Sequence, residues 1–282
     1  MIVYLNGAYS NFDEVSIAPS NRSFRYGDGL FESMRLVNDH MLFWSHHYSR
    51  FILGMDYLKI LIPEAWQPKF FEEIILRLVK ENNFKHARVR MMCFRSGEGL
   101  YQSNSNEPGL YIELQELDKP YFHLNTKGLS LGLFEEVKKP IQKLSSFKTN
   151  NSLPYVLAAN YCSENNLDDC LVLNTEGRVA EVTSSNIFTI KGSKIYTPND
   201  NEGGINGVMR TVLTKLIKKI GLELEKVEMS IEDVKGADEV FITNASKGIQ
   251  WIEKFGESTY TSKLSSMILA KLNERVMKDS NL

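Results

Sequence analysis

Cysteine is scarce. The 282-residue chain has three, Cys93, Cys162 and Cys170, an odd number without C-x-x-C spacing, which argues against a disulfide framework and a structural zinc site. No segment carries the 18 or so consecutive apolar residues that would span a bilayer. The start, MIVYLNGAYSNFDE, lacks a basic stretch followed by an apolar one, so no signal peptide is expected. Neither sign of charge is in surplus. Against 33 lysines and arginines stand 35 aspartates and glutamates, a formal net charge of −2, whereas nucleic-acid binders usually show a basic excess. Glycine and proline number 18 and 8, too few for collagen-like or low-complexity chains. What is plentiful is apolar. Hydrophobic residues make up 43%, enough for a sizeable core in one large domain or two modest ones. The expectation is a folded, soluble, cytoplasmic protein that binds neither nucleic acid nor membrane.

The strand MIVYL meets Asn6-Gly7, the dipeptide suited to the positive φ angles of a type I′ turn, so the chain opens on a β-hairpin. The run from Gly29 to Val37 leads through Asn38-Asp39 into Met41–Trp44, a second hairpin, and Ser45 is placed to cap a helix over about 46–59. Pro68 suits a first helical turn, and Phe70, Phe71, Ile74, Ile75 and Leu78 follow at helical spacing. Strands are expected at 88–95 and 110–116. Around Pro120 the strand pattern breaks and then restarts, which marks a linker. Beyond it the pattern predicts a strand near 129–134 and a helix at 153–164. Short strands follow at 170–173, 178–183, 186–190 and 194–196, then a helix near 209–220. Strands near 222–229 and 239–243 and a helix near 262–277 finish the chain. Strands and helices mix without regular βαβ alternation, so the reading is an α+β fold of two domains. An N-terminal α/β domain covers 1–118, a linker 119–124, and a second domain 125–282.

Four features could carry chemistry. Lys148 sits amid small polar residues just before a helix, where burial or nearby charge could activate it as a Schiff-base lysine; alone, it reads as a solvated surface residue. Period-two alternation puts Glu181 on one strand face with Val179 and Thr183, an odd place for a carboxylate unless a cation lies opposite. The neighbouring Ser184, Ser185 and Asn186 offer donors to an anion. Gly203-Gly204-Ile205-Asn206-Gly207-Val208-Met209-Arg210 runs into an amphipathic helix, and unpaired N–H groups at such a start suit a phosphate. Arg50, on the first long helix, could clamp a phosphate bidentately or make a salt bridge. His46-His47 has no supporting cluster of carboxylates or histidines, so no metal is expected.

Taken in order, these segments resemble the class IV aminotransferases, the fold-type IV pyridoxal-phosphate enzymes, over essentially the whole chain. The matching stretches are Tyr26-Gly-Asp-Gly-Leu-Phe-Glu32, His47-x-x-Arg50, Lys148 with Asn151, Glu181-x-x-x-x-Asn186, Thr197-Pro198, Gly204-x-x-Gly-Val-Met-Arg210 and Ala237-Asp-Glu-Val-Phe-Ile-Thr-Asn244. The resemblance implies a small N-terminal α/β domain and a larger, barrel-like C-terminal α/β domain that binds pyridoxal 5′-phosphate, in a homodimer. It implies that Lys148 carries the cofactor as an internal aldimine and shuttles a proton between Cα and C4′. Glu181 would sit against the pyridine nitrogen, and Arg50 would hold the phosphate together with the backbone of Val208, Met209, Asn244 and Ala245.

The implied activity is an aminotransferase acting between a small or branched-chain amino acid and a 2-oxo acid. The alternative is aminodeoxychorismate lyase, which releases 4-aminobenzoate and pyruvate. The Arg-x-His carboxylate trap of D-amino-acid aminotransferases is replaced here by Leu100 and Gln102, and Phe31 stands where those enzymes have a tyrosine. Arg95, with Tyr101 as a neighbouring hydroxyl, is then the expected anchor for the substrate carboxylate. Arg88 and Arg90 are expected on the same strand face as Arg95. A catalytically silent member is the third reading, and the intact set of Lys148, Glu181 and Arg50 argues against it.

Overall fold

The computed structural model describes residues 1–280, which form two compact units. The first comprises Met1–Pro120, Lys148–Ser152 and the last residues from Asp279; the second comprises Tyr121–Phe147 and Leu153–Lys278.

The first unit contains β1 (Ile2–Leu5), β2 (Ala8–Asn11), α1 (Arg22–Tyr26), β3 (Gly29–Val37), β4 (His40–Met41), α2 (Trp44–Tyr57), α3 (Pro68–Glu81), β5 (His86–Arg95) and β6 (Pro108–Glu116). Its six strands form one antiparallel sheet in the order β2-β1-β6-β5-β3-β4. Asn6 and Gly7 take φ of 48° and 95°, and Asn38 and Asp39 take 46° and 63°, so both tight turns use the left-handed conformations their residue types tolerate. Helix α2 starts earlier than its sequence suggests. The Leu42 N–H still donates to the Arg35 carbonyl, so the chain turns at Phe43, in a left-handed conformation, and Ser45 falls inside the first turn. Phe51 and Met55 of α2 and Phe71, Ile75 and Leu78 of α3 pack with Met34, Leu36, Val89, Met91 and Ile112 in one core. Each fully buried side chain of this size contributes about 1.5–3 kcal/mol.

Alternation leaves Phe31, Arg88, Arg90, Met92, Tyr111 and Glu113 on the other, half-buried face of this sheet. A division at residues 119–124 assigns Lys148 to the C-terminal domain. The structure instead groups Lys148–Ser152 with the first unit. The reason is backbone pairing: the Phe31 N–H donates to the Lys148 carbonyl at 2.9 Å, and the Asn150 N–H to the Gly29 carbonyl at 2.9 Å.

The second unit contains β7 (Leu129–Lys139), α4 (Leu153–Glu164), β8 (Asp169–Asn174), β9 (Val179–Val182), β10 (Asn186–Lys191) and β11 (Lys194–Pro198). These are followed by α5 (Val208–Lys219), β12 (Glu223–Val227), α6 (Ile231–Lys235), β13 (Glu239–Asn244), β14 (Gly248–Phe255), β15 (Ser258–Thr259) and α7 (Lys263–Asp279). Its sheet runs β12-β11-β10-β13-β14-β7-β8-β9, with β15 on β14, and it is mixed: β11–β12, β14–β7 and β7–β8 are parallel. β7 runs five residues past the expected end, to Lys139. β14, absent from the sequence expectation, is central, joining β13 to β7. The sheet curls so that the Val179 N–H of β9 donates to the Met229 carbonyl, just beyond β12 at the opposite end of the strand order. Leu171, Val182, Ile187, Val240, Ile242 and Ile252 share its principal core. Among the described residues no helix is long and apolar enough to cross a membrane.

Candidate active site

In the first unit, the chain at 148–150 lies along β3 and brings the Lys148 ammonium to 4.4 Å from the centre of the Phe31 ring. The Arg90 guanidinium lies 4.2 Å from the same ring. Two cations therefore gather on one aromatic side chain, whose π-face is electron-rich. Met92 stands directly across the β3–β5 ladder from Phe31, which adds an apolar surface. Glu113 is 3.9 Å from the Arg90 Nε and accepts the Tyr111 hydroxyl at 2.8 Å. Burial draws the Arg90 guanidinium below its ordinary pKa, against the opposing pull of Glu113.

The opposite face of β3 carries Glu32, which is 1% exposed. Arg50 grips it with Nε on Oε1 at 2.8 Å and Nη2 on Oε2 at 2.6 Å. His47 meets the same Oε2 through Nδ1 at 2.6 Å. Burial opposes ionisation of Glu32, but Arg50 and His47 together outweigh it and hold the carboxyl down to about 2. His47 is fully buried, and that burial lowers its pKa despite Glu32, so the neutral ring donates from Nδ1. The fork that a sequence reading assigns to a phosphate is thus engaged by a carboxylate.

The structure corrects the anchor assigned to Arg95. Its Nε and Nη2 reach Asp28 at 3.0 and 3.4 Å, Nη2 also donates to the Leu58 carbonyl at 2.5 Å, and Nη1 donates to the Lys59 carbonyl at 2.9 Å and to the Asn106 side chain. A guanidinium has five N–H groups, and all are committed to ties within the fold. Arg95 also does not share a face with Arg88 and Arg90. It lies five residues beyond Arg90, an odd interval, so it projects to the side of α2. Tyr101 is 90% exposed on a turn whose carbonyls at Gly99, Leu100 and Tyr101 accept from Arg22.

In the second unit, β9 is buried along its whole length, so Glu181, 3% exposed, is not an edge acid facing water. The cation that such a carboxylate requires is Lys139, at the end of β7, whose Nζ donates to Oε1 at 3.0 Å. The Tyr155 hydroxyl donates to the same oxygen at 2.6 Å, Lys139 also bonds to Tyr155, and the Ile205 N–H donates to Oε2 at 2.8 Å. Burial, reinforced by the carboxylate, raises the Tyr155 pKa far above that of a free tyrosine, so the hydroxyl keeps its proton. Sequence reading missed Lys139, Tyr155 and Ile205. The one available signal was the unexplained demand for a cation opposite Glu181.

Around this carboxylate the loops converge. Asn186 donates from Nδ2 to the Ile205 carbonyl at 2.9 Å, and Asn244 donates from Nδ2 to Ser185 Oγ at 2.9 Å and the Ser184 carbonyl at 3.4 Å. The Asn244 Oδ1 accepts the N–H groups of Ser246 and Lys247, which shapes the turn that includes Ala245. Helix α5 begins at Val208 and Met209, and no side chain caps it. A Cβ on Gly207 would lie 1.8 Å from Asn186 Oδ1, so only glycine permits this close approach. Glu181, Ser184, Ser185, Asn186, Val208, Met209, Asn244 and Ala245 all belong to the second unit; Phe31, Arg50, Arg90 and Lys148 belong to the first.

The sequence signature described as "Amino-transferase class IV" matches residues 29–255, and the chain belongs to that family. It is 26% identical to the aminodeoxychorismate lyase of Vibrio harveyi, over 93% of this chain and 94% of that one. It is 25% identical to a D-alanine aminotransferase of Staphylococcus aureus (strain COL), over 93% and 92%. The fold is that of the fold-type IV enzymes. It superposes on the branched-chain aminotransferase of the thermophilic archaeon Thermoproteus uzoniensis, solved with norvaline, with a TM-score of 0.88 at 20% identity, covering 99% and 95% of the two chains.

Enzymes of this family use pyridoxal 5′-phosphate, and solved relatives of the same fold hold pyridoxamine 5′-phosphate or a phosphopyridoxyl adduct of L-glutamate. The residues present fit such a group. The uncapped start of α5, tightened by Gly207, is a donor set for a phosphate, and the buried Glu181 is an acceptor for a ring N–H.

Proposed function

We propose that the protein is a pyridoxal-phosphate-dependent aminotransferase moving an amino group between a small aliphatic amino acid, the branched-chain ones included, and a 2-oxo acid. The observation that carries this reading is the Phe31 ring with Lys148 at 4.4 Å and Arg90 at 4.2 Å, backed by Met92. One amine, one fixed cation and an apolar wall make a surface for an aliphatic side chain and a carboxylate.

In this reading Lys148 would hold the cofactor covalently and would take up and return the proton at the substrate Cα. Arg50, the N–H groups of Val208 and Met209, and the turn at Asn244 and Ala245 would hold the phosphate, with Ser184, Ser185 and Asn186 shaping the loops around it. Glu181 accepts the ring N–H. Bound there, the cofactor supplies the electron sink that stabilises charge at the substrate Cα. Arg90, not Arg95, anchors the acidic end of the substrate, and Phe31 shields the lysine from water.

The working form is a homodimer in the cytoplasm. Helix α4 leaves Leu153 and Val156 at least half exposed, and Leu100 and Tyr101 are also exposed, apolar surface that a partner subunit would cover. Glutamate formed from 2-oxoglutarate with L-leucine, L-isoleucine or L-valine tests the reading. No glutamate from these or from D-alanine, with pyruvate and 4-aminobenzoate released from aminodeoxychorismate, would replace it with the lyase.

A further inference from the structure

Lys139 is a buried lysine that the proposed chemistry does not use. It is 8% exposed, and lysines are rarely so enclosed without a specific partner. Its ammonium is held by the Glu181 Oε1 at 3.0 Å and by the Tyr155 hydroxyl, and it lies 4.8 Å from the centre of the Tyr155 ring. Tyr155 donates to the same Oε1 at 2.6 Å. Oε1 therefore accepts two donors, while Oε2 accepts the Ile205 N–H and keeps one further acceptor direction.

We propose that Lys139 is a positioning residue for the cofactor: with Tyr155 it fixes the orientation of the Glu181 carboxylate, with one oxygen saturated, so that only Oε2 can receive the pyridine N–H. The inference rests on the assignment of Glu181 to the ring nitrogen. Its physical basis is that a buried carboxylate without a cation loses either its charge or its fixed orientation. Lys139 supplies that cation, at Oε1, before any ligand arrives. A lysine that merely fills space at the end of β7 would act on cofactor binding independently of Glu181.

A double-mutant cycle distinguishes the two. Apoproteins of the wild type, Lys139→Met, Glu181→Gln and the double variant are titrated with pyridoxal 5′-phosphate, and bound cofactor is read from its visible absorption. Lys139→Met is expected to weaken binding about tenfold when Glu181 is present, the equivalent of one charge-assisted hydrogen bond, and less than twofold in the Glu181→Gln background. Lys139→Arg should recover most of the loss. No loss, or equal losses in both backgrounds, would overturn the proposal. If Lys139→Met fails to fold by circular dichroism, Tyr155→Phe carries the same cycle, with a loss of about threefold expected only when Glu181 is present. A wild-type apoprotein that takes up no cofactor would overturn the functional reading itself, and the proposal with it.

Discussion

Replacing Glu32 by glutamine tests the buried cluster that orients Arg50. The carboxyl is held at about 2 against an ordinary 4.5, a difference of roughly 2.5 units. At about 1.4 kcal/mol per unit this is roughly 3 kcal/mol of stability carried by the charged form, in line with the 3–5 kcal/mol typical of breaking a buried ion pair. Glu32→Gln keeps the shape but faces Arg50, 13% exposed, and the enclosed His47 with a neutral amide. Because the folded value is depressed, the contribution is complete above about pH 4.5 and fades as pH falls toward 2. Urea unfolding in a Trp251→Phe background provides the assay, since Trp44 and Trp66 then report the first unit alone. A loss of about 3 kcal/mol at pH 7 that shrinks steadily below pH 4.5 is expected. A loss under about 1 kcal/mol, or one independent of pH, would refute the reasoning.

Arg90→Gln should raise the KM for an acidic 2-oxo acid about tenfold with a smaller change in kcat, as measured by steady-state kinetics, because it removes a bidentate contact. An unchanged KM would remove Arg90 from the substrate surface. Arg95→Lys should leave both constants within about twofold while costing about 2 kcal/mol of stability, since a lysine cannot reach Asp28, two carbonyls and Asn106 together. A large KM effect without loss of stability would return Arg95 to the site.

Local signals made much of the fold legible. The Asn6-Gly7 turn and helix α4 fall where turn chemistry and residue spacing place them. β14 was illegible because GIQWIEKF is a central strand whose pairing with β7 is non-local. The extension of β7 to Lys139 was hidden by Glu135, Glu136, Lys138 and Lys139, whose charges interrupt the apolar pattern of a strand. Glu181 could be singled out as a carboxylate needing a cation, but not its partner, 42 residues away in sequence. Arg95 misled because its residue type fits an anchor, while its five acceptors come from distant segments that no pattern along the chain reveals. The parity of strand positions was the one clue that separated it from Arg90.

The central claim is that Lys148, and not another lysine, carries the cofactor. Borohydride reduction of the purified holoprotein followed by peptide mapping tests it directly, with Lys148→Ala as the control expected to lose both label and turnover. The account predicts the reduced pyridoxyl group on Lys148 alone. A label on Lys139, the buried lysine beside Glu181, or on Lys143 or Lys127, with Lys148 unmodified, would contradict it.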